Sequence, residues 1–565
     1  MSESISTARL RLLCFAVGFL ALVIVTRLFY LQLIRGSSYA SVALDQAQEQ
    51  IEVDLPRATL LDRNGFILAS STLCPSLYTF DPQKISDPSG LAREVCALSG
   101  RDFQDVLTPL KTRKGFTWLA RKLPFQSYER AKRLCAEFKG VEMMDEAGRY
   151  YPCQELAANL IGCMGMDGGL AGLEHQWNKQ LQGGTRRYAV QRDAVQTTLI
   201  PIDIVPEVDP QPRAVRLTID TAIQRRAEEI LQATVTELNA KDGAAIVMDP
   251  QGGDILAMAV APTFDPNDPG RSHPAQWRNR AVTDSYEPGS TFKLVTLAAA
   301  LDSGRFQPYD TIPVGNGTLT VGPKTIHDDE PPIKSVYTIE EVLQHSSNCG
   351  AARVGMAVGE QTMYRYIRLL GFGQVTSLGL DGEVAGRLRP PKEWSALSLP
   401  CLSFGQELRS TPLQLILAYA AVASGGYRIA PRILLDSAVP PAERILKEST
   451  ARALNIMLQK VVLEGTGRQA AVPGVAVCGK TGTAQKIGQV SSDGRRLFIA
   501  YFVGFAPAED PRLLTLVMVD EPVGKIYGGA VSAPAFSKIM GFALKRVSYP
   551  ERSLSTDLAC LEKTP

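Results

Sequence analysis

The stretch "SYEPGSTFKLVT", residues 285–296, puts Ser290 directly after Pro288-Gly289, with Lys293 three residues on and an apolar run behind it. Such a stretch reads as the opening of a helix. Side chains at i and i+3 share one helix face, so Ser290 and Lys293 become neighbours once the helix forms. Alone the pattern says little, because a serine at a helix start is ordinarily an N-cap and the lysine ordinarily meets solvent. The chemically active reading requires a neutral lysine amine that takes the serine proton. Near pH 7 a lysine keeps its own proton unless burial or cationic neighbours lower its pKa. A helix N-terminus also offers backbone N–H groups to a developing oxyanion.

Two further clusters raise the weight of that reading. "LQHSSNCGAA" (343–352) closes a helix that begins at Thr338, with Glu341 in the capping-box position, and offers Ser346, Ser347 and Asn348. "VCGKTGTAQK" (477–486) reads as a strand carrying Lys480, Thr481, Gly482 and Thr483. There a lysine, two hydroxyls and a glycine make a cationic, donor-rich edge that a substrate can approach closely. His345 adjoins Ser346, but at a helix end it reads as a partner of the helix dipole rather than half of a Ser-His dyad. His327, in "KTIHDDEPP", reads as a loop residue.

Working outward, "GAAIVMDPQGGDILAMAV" (243–260) and "LFIAYFVGFAPAEDPRLLTLVMVDEP" (497–522) are hairpins, and the segments between them are mainly helical, one starting at Thr411-Pro412. Strands at both ends of a helical middle predict an antiparallel sheet covered by helices. "VRLTID" (215–220) and "TAIQRRAEEILQATVTEL" (221–238) read as strand then helix. Upstream, "PIDIVPEVDPQPR" (201–213) holds four prolines and reads as an extended linker. "PRATLLDRNGFILAS" (56–70) reads as strand, Asn-Gly turn, strand. Residues 71–145 are mixed, with helical patterns near 90–98 and 127–138.

At the N-terminus Arg9 and Arg11 precede fourteen apolar residues, Leu12–Val25, and after Arg27 the apolar pattern resumes to Ile34. No small-residue cleavage site follows closely, so residues 10–34 read as an uncleaved signal anchor, with a cleaved signal peptide as the alternative. The two arginines favour the cytoplasmic side for the tail. The chain's 565 residues, 45% hydrophobic and 21% charged with net charge +2, leave room for two or three globular domains and do not favour a nucleic-acid partner. The basic patch "LKTRKG" (110–115) reads as solvated surface. Four histidines and no HExxH or CxxC spacing argue against a metal enzyme, and no cofactor is expected. Of the ten cysteines nine lie beyond the anchor, too sparse for a disulfide scaffold, and most read as buried small hydrophobes.

Serine-x-x-lysine, serine-x-asparagine and lysine-threonine-glycine in this order form the motif set of penicillin-binding proteins and class A β-lactamases. "RNRAVTDSYEPGSTFK" (278–293), "LSFGQELRSTPLQL" (402–415), "EGTGRQAAVPGVAVCGKTGTAQK" (464–486) and "VGFAPAEDPRLLTLVMVDEP" (503–522) resemble class B penicillin-binding proteins, the division-type septal transpeptidases most of all. "RYYPCQELAANLIGCMG" (149–165) and "GGLAGLEHQWNKQLQG" (168–183) resemble that class's N-terminal pedestal. "PRATLLDRNG" lacks the glycine the family often carries after that arginine, and Ser347 and Cys349 flank the serine-x-asparagine motif in a variable setting. The resemblance, from Arg9 to about Leu544, implies fold class α+β / α/β: anchor and short tail (1–37), extended β-rich pedestal of the dimerisation type (38–212), transpeptidase domain with a central antiparallel sheet flanked by helices (213–546), and C-terminal tail (547–565).

By the same resemblance Ser290 is the nucleophile and Lys293 its base. Ser346 and Lys480 protonate the leaving group, and Asn348 orients Lys293 and the substrate amide. Thr481, Gly482 and Thr483 line the substrate edge, the two threonines holding the substrate carboxylate. The backbone N–H groups of Ser290 and Thr483 form the oxyanion hole. The implied partners are peptidoglycan stem peptides, β-lactams bound covalently at Ser290, a multi-spanning glycan polymerase with other division proteins, and the inner membrane through residues 10–34, with the catalytic domain periplasmic. A β-lactamase or β-lactam sensor shares the serine-lysine chemistry, but no segment resembles the glutamate loop of a class A hydrolase. A non-catalytic division scaffold is opposed by the intact motifs.

Overall fold

A long run of mainly apolar side chains favours a helix in lipid, where every backbone group must be satisfied within the segment. The computed structural model has that helix at Glu3–Phe29, continued by a wider π-turn at Tyr30–Ile34. It describes residues 3–39, 48–166, 168–183, 185–192, 199–203 and 214–548. The apolar span Thr7–Ile34 has 28 residues. That length corresponds to about 42 Å of helix against a hydrocarbon core of about 30 Å, enough for a single-pass membrane anchor.

The chain divides into two compact units interleaved in sequence. The first comprises Met1–Arg57, Ser71–Gly148 and Gln182–Pro212. In it Gln48–Asp54, Thr185–Arg192 and Leu199–Asp203 form a three-stranded antiparallel sheet with the middle strand central. Three residues of the expected linker, 201–203, therefore belong to a strand, and residues 204–213 lie outside the described residues. A small core of Leu77, Leu91, Val95, Leu110, Leu134 and their neighbours holds helices Pro88–Ser99, Phe103–Thr112 and Tyr128–Glu137 on short strands. The first two helices are capped by Asp87 and Asp102, each accepting a backbone N–H in the first turn. The helix Phe103–Thr112 escaped the sequence reading because Pro109 and the basic residues after it break the apolar pattern. The patch 110–115 is surface except for Leu110, which is buried.

The second unit comprises Ala58–Ser70, Arg149–Leu181 and Arg213–Pro565. Its centre is a five-stranded antiparallel sheet in the order Ile255–Ala261, Asp242–Met248, Leu513–Asp520, Arg496–Ala506, Cys478–Val490. Period-two alternation sorts its side chains. Ala245, Val247, Ala500, Phe502, Val517 and Val519 pack with helices Thr221–Glu237 and Gly528–Ser548. Ala244, Ile246, Tyr501, Val503, Leu516 and Met518 pack with Phe292, Leu294 and helix Pro412–Ala423 on the other face. Covered on both faces, the inner strands are apolar throughout. The strand Cys478–Val490 is left at an edge. Strand residues at 215–220 reduce to Val215–Arg216, parallel to Leu60–Leu61. His327 ends a short hairpin strand, Lys324–His327, rather than lying in a loop.

The Asn64-Gly65 turn is held by a fully buried carboxylate. Asp62 accepts the N–H of Asn64 at 2.7 Å and of Phe66 at 2.9 Å, and also the Thr221 hydroxyl at 2.7 Å. The cysteines are free thiols: Cys74, Cys163, Cys349, Cys401 and Cys478 are buried, Cys96, Cys135 and Cys153 half-buried, Cys14 exposed, and Cys560 lies outside the described residues. Within the second unit Arg149 and Glu174, 2% and 0% exposed, pair at 2.7 Å, and Arg149 also donates to the Ala58 carbonyl at 2.8 Å. Removing one charge of a buried pair strands the other. Glu174→Gln is expected to cost about 3 kcal/mol, read as a lower urea midpoint of the full-length protein with unchanged denaturant slope; an unchanged midpoint would refute it.

Candidate active site

Ser290 sits in a 3-10 turn, Gly289–Phe292, that runs directly into the helix Lys293–Asp302. It is therefore inside the first turn and not its N-cap, and it stays partly exposed while every residue from Thr291 to Ala300 is buried. The i to i+3 geometry holds: Lys293 Nζ lies 2.9 Å from Ser290 Oγ. The same nitrogen lies 2.8 Å from Asn348 Oδ1 and 3.1 Å from Ser346 Oγ, and it also reaches the Ser346 carbonyl. Lys480 Nζ approaches Ser346 Oγ from the other side at 2.9 Å and contacts the Thr481 carbonyl at 3.2 Å. Ser346 Oγ thus bridges two lysines contributed by a helix and by the edge strand.

Both lysines are fully buried. Loss of hydration pushes the Lys293 amine down to about 8, against the pull of the Asp329 and Asp328 carboxylates. Burial pushes Lys480 down as well, and the nearby Lys293 ammonium pushes it further. A neutral Lys293 amine keeps two N–H donors, matching two acceptor-only partners, the Ser346 carbonyl and Asn348 Oδ1. Its lone pair is then free for the Ser290 hydroxyl, which is the arrangement of a nucleophile and its base.

Glycines allow the elements to come this close. A Cβ on Gly482 would fall 2.7 Å from Thr291 Cγ2, so the motif's glycine makes room for the serine turn of its own chain. Gly405, at φ +85°, would carry a Cβ 2.2 Å from the Gly289 carbonyl oxygen, and Gly289 N–H donates to Gly405 C=O at 3.2 Å. The Tyr419 hydroxyl, from the helix Pro412–Ala423, donates to the Thr291 carbonyl at 2.8 Å. The Thr483 hydroxyl accepts the Gly528 N–H at 3.1 Å and is partly exposed, whereas the Thr481 hydroxyl is buried against Thr466 Oγ1 at 2.7 Å. Ser290, Ser346, Asn348 and Thr483 form a partly exposed floor above two buried amines.

Sequence reasoning missed the residues that hold Asn348. Its Nδ2 donates to the His327 carbonyl at 2.9 Å, and Asp328 accepts the Ser347 hydroxyl and the Cys349 N–H, both at 2.9 Å. No spacing links Asp328 to the motif it supports. Glu287, which accepts the Glu407 N–H at 3.0 Å behind the serine turn, was equally silent. Ser346 adopts φ +58°, a left-handed conformation uncommon for serine. His345 packs its ring on Tyr337, with centroids 5.1 Å apart, and makes no dyad with Ser346.

Residues 243–541 match the penicillin binding protein transpeptidase domain model, and residues 52–201 the penicillin-binding protein dimerisation domain model. The chain is 33% identical to the probable peptidoglycan D,D-transpeptidase PbpC of Pseudomonas aeruginosa, covering 95% of each chain. It is 32% identical to the peptidoglycan D,D-transpeptidase FtsI of Escherichia coli, covering 97% of this chain and 93% of that one. Penicillin-binding protein 3 of Mycobacterium tuberculosis, solved with aztreonam, superposes at a TM-score of 0.67 with 28% identity, covering 88% of this chain and 98% of the other. The transpeptidase domain of Burkholderia pseudomallei penicillin-binding protein 3 superposes at 0.53 with 36% identity, covering 59% and 97%. The chain belongs to the penicillin-binding protein transpeptidase family.

The lowered Lys293 pKa sets a pH dependence. A lysine can accept a proton only when neutral, and the neutral fraction of Lys293 rises with pH through about 8. The rate constant for acylation by benzylpenicillin is therefore expected to climb about tenfold per pH unit below that point and to level off above it. A flat profile between pH 6 and pH 9, to be scanned at roughly half-unit steps, would remove Lys293 from the base role.

Proposed function

We propose that this protein is a serine D,D-transpeptidase that cross-links peptidoglycan stem peptides through an acyl-enzyme at Ser290, acting in septal wall synthesis as a β-lactam target. The observation that carries the reading is the contact of buried Lys293 with Ser290 at 2.9 Å, with Ser346 joined to both lysines.

In this reading the substrate's terminal carboxylate docks beside Lys480, Thr481 and Thr483, and Gly482 keeps that edge close to the serine turn. Its negative charge favours the ammonium form of Lys480, and an ammonium there disfavours one on Lys293, so docking leaves the base neutral. Lys293 takes the Ser290 proton as Oγ attacks the carbonyl of the penultimate D-alanine. The backbone N–H groups of Ser290 and Thr483 receive the oxyanion, each worth about 3 kcal/mol of barrier. As the intermediate collapses the C–N bond breaks, and a proton passes through Ser346 Oγ to the leaving D-alanine, replenished from the lysines. The amine of a second stem then attacks the ester carbonyl, loses its proton along the same path, and releases Ser290 Oγ. Asn348 fixes Lys293 and the substrate amide throughout.

The positive tail residues Arg9 and Arg11 support an N-terminus-in anchor in the inner membrane, and the pedestal over 38–212 and the transpeptidase domain over 213–546 then lie on the periplasmic side. Arg27 and Gln32 within the anchor support a membrane partner, a multi-spanning glycan polymerase, since polar groups at such depth meet protein partners. Replacing residues 10–34 with an unrelated span is expected to abolish co-purification with that polymerase; unaffected co-purification would count against it.

Benzylpenicillin offers the direct test of the chemistry. The tethered leaving nitrogen blocks the acceptor amine, and no dedicated base serves water, so the adduct is expected to last minutes to hours. Intact-protein mass spectrometry should find one penicilloyl group per chain on the peptide containing Ser290. Ser290→Ala loses it, Lys293→Ala loses most of it, and Lys480→Ala acylates slowly while remaining folded. Rapid hydrolysis without a lasting adduct would make the protein a β-lactamase, and no label would leave a scaffold.

A further inference from the structure

Beside the serine turn lie two arginines that the chemistry above does not use. Arg387 and Arg409 exchange both backbone hydrogen bonds, at 2.8 and 2.9 Å. A pair that does so carries its side chains on one face with Cβ atoms about 5 Å apart, where like charges repel. A Cβ on the preceding Gly386 would lie 2.2 Å from the Arg409 carbonyl oxygen, so the two strands meet at closest approach.

Alternation fixes the direction of the pair. Ser410, next in the chain, exchanges backbone bonds with Tyr286 and is buried, so Arg409 faces the opposite way. The same alternation turns Glu287 to the arginine face; burial raises its carboxyl pKa, Arg409 and Lys324 oppose the rise, and the Glu407 carboxylate adds to it. Neighbouring arginines are neutralised: Arg278 and Arg280 pair with Asp284, and Arg389 pairs with Glu407. Arg387 and Arg409 are exposed and make no ion pair among the described residues. Their strip is continuous with the nucleophile, since Gly289 donates to Gly405 and Glu407 donates to Glu287.

We propose that Arg387 and Arg409 form an anion subsite for a carboxylate of the peptide substrate, upstream of its D-alanyl-D-alanine end. The proposal rests on the transpeptidase reading. Guanidinium groups bind carboxylates through paired N–H donors, and a carboxylate between the two relieves their repulsion. Glu287 lies three positions before Ser290, at most about 10 Å of chain. An extended peptide covers that distance in about three residues, which places the recognised carboxylate near the third residue from the scissile bond.

The test uses full-length protein in detergent and two synthetic peptides ending in D-alanyl-D-alanine, identical except that the upstream carboxylate is free in one and amidated in the other. The wild type is expected to release D-alanine from the free-carboxylate peptide with a kcat/KM about tenfold higher, one charge-assisted hydrogen bond's worth. The double variant Arg387→Gln, Arg409→Gln should lose that preference by slowing on the free peptide alone. Penicilloylation of Ser290 in the same variant reports that it is folded. Equal slowing on both peptides, or a preference that survives, overturns the subsite. A wild type that is not penicilloylated would overturn the transpeptidase reading itself, whereas a penicilloylated wild type with no preference overturns only the subsite.

Discussion

A lysine taken out of water must find acceptors or give up its proton. Lys293 and Lys480 do both in part, and the second unit is arranged around that requirement. Two full ammonium charges on either side of one hydroxyl would repel with neither solvent nor a carboxylate in direct contact. Burial lowers both pKa values, the Lys293 charge lowers that of Lys480 further, and Asp328 and Asp329 limit the fall. The acceptors come from three places in the chain: the serine turn, the Ser346–Asn348 corner and the edge strand. Anything that loosens one of the three leaves a buried amine short of partners.

Side chains of ordinary length converge on one point only if the backbones carrying them nearly touch. That explains the glycines at Gly289, Gly405 and Gly482, each of which would place a Cβ inside a neighbouring backbone or side chain. It also explains why the edge strand must be an edge. Its inner side is paired with Arg496–Ala506, and its Gly482 lies against the serine turn. The helices on both faces of the sheet fix the strand's height, so the residues of Phe292–Ala300 are wholly apolar or internally bonded: Thr296 gives its hydroxyl to the Ser403 carbonyl at 2.7 Å.

Much of this was legible in residue order. The two hairpins gave the sheet, the capping boxes at Thr338 and Thr411 formed as expected, and the three motifs met at one place. What the sequence withheld was contact between segments without a pattern. Asp328 follows a hairpin strand and bonds the asparagine motif 19 residues further on, and Asp62 ties a turn to a helix start 159 residues away. An aspartate that accepts backbone N–H groups looks like any other aspartate until its partners are folded against it. Proline and basic residues hid the helix Phe103–Thr112 for the opposite reason: its ordinary amphipathic face was too short to outweigh them. The interleaving of the two units is of the same kind, because segment resemblance follows chain order while compactness follows contacts.

The far end of the edge strand carries a second buried conflict. Asp242 and Asp520 lie directly opposite each other on adjacent strands, both 1% exposed. Lys486, six residues beyond Lys480, bonds Asp520 at 2.6 Å and Glu521 at 2.6 Å. Burial and the facing Asp520 push the Asp242 carboxyl up to about 6. An acid whose pKa is raised on folding supports the fold at low pH and loses that support as pH rises through the folded value. An amine whose pKa is lowered, as for Lys293, behaves oppositely: its support is lost as pH falls through about 8. Between those two values Asp242 is mostly ionised and Lys293 mostly protonated, so near neutrality both ends of the strand carry charge that burial opposes. A lysine can be neutral beside Ser290 near pH 7 only where burial lowers its pKa. The charge conflict at the serine end thus comes from the same burial that lowers the Lys293 pKa, and Lys486 pairs with Asp520 and Glu521 at the other end of the same strand.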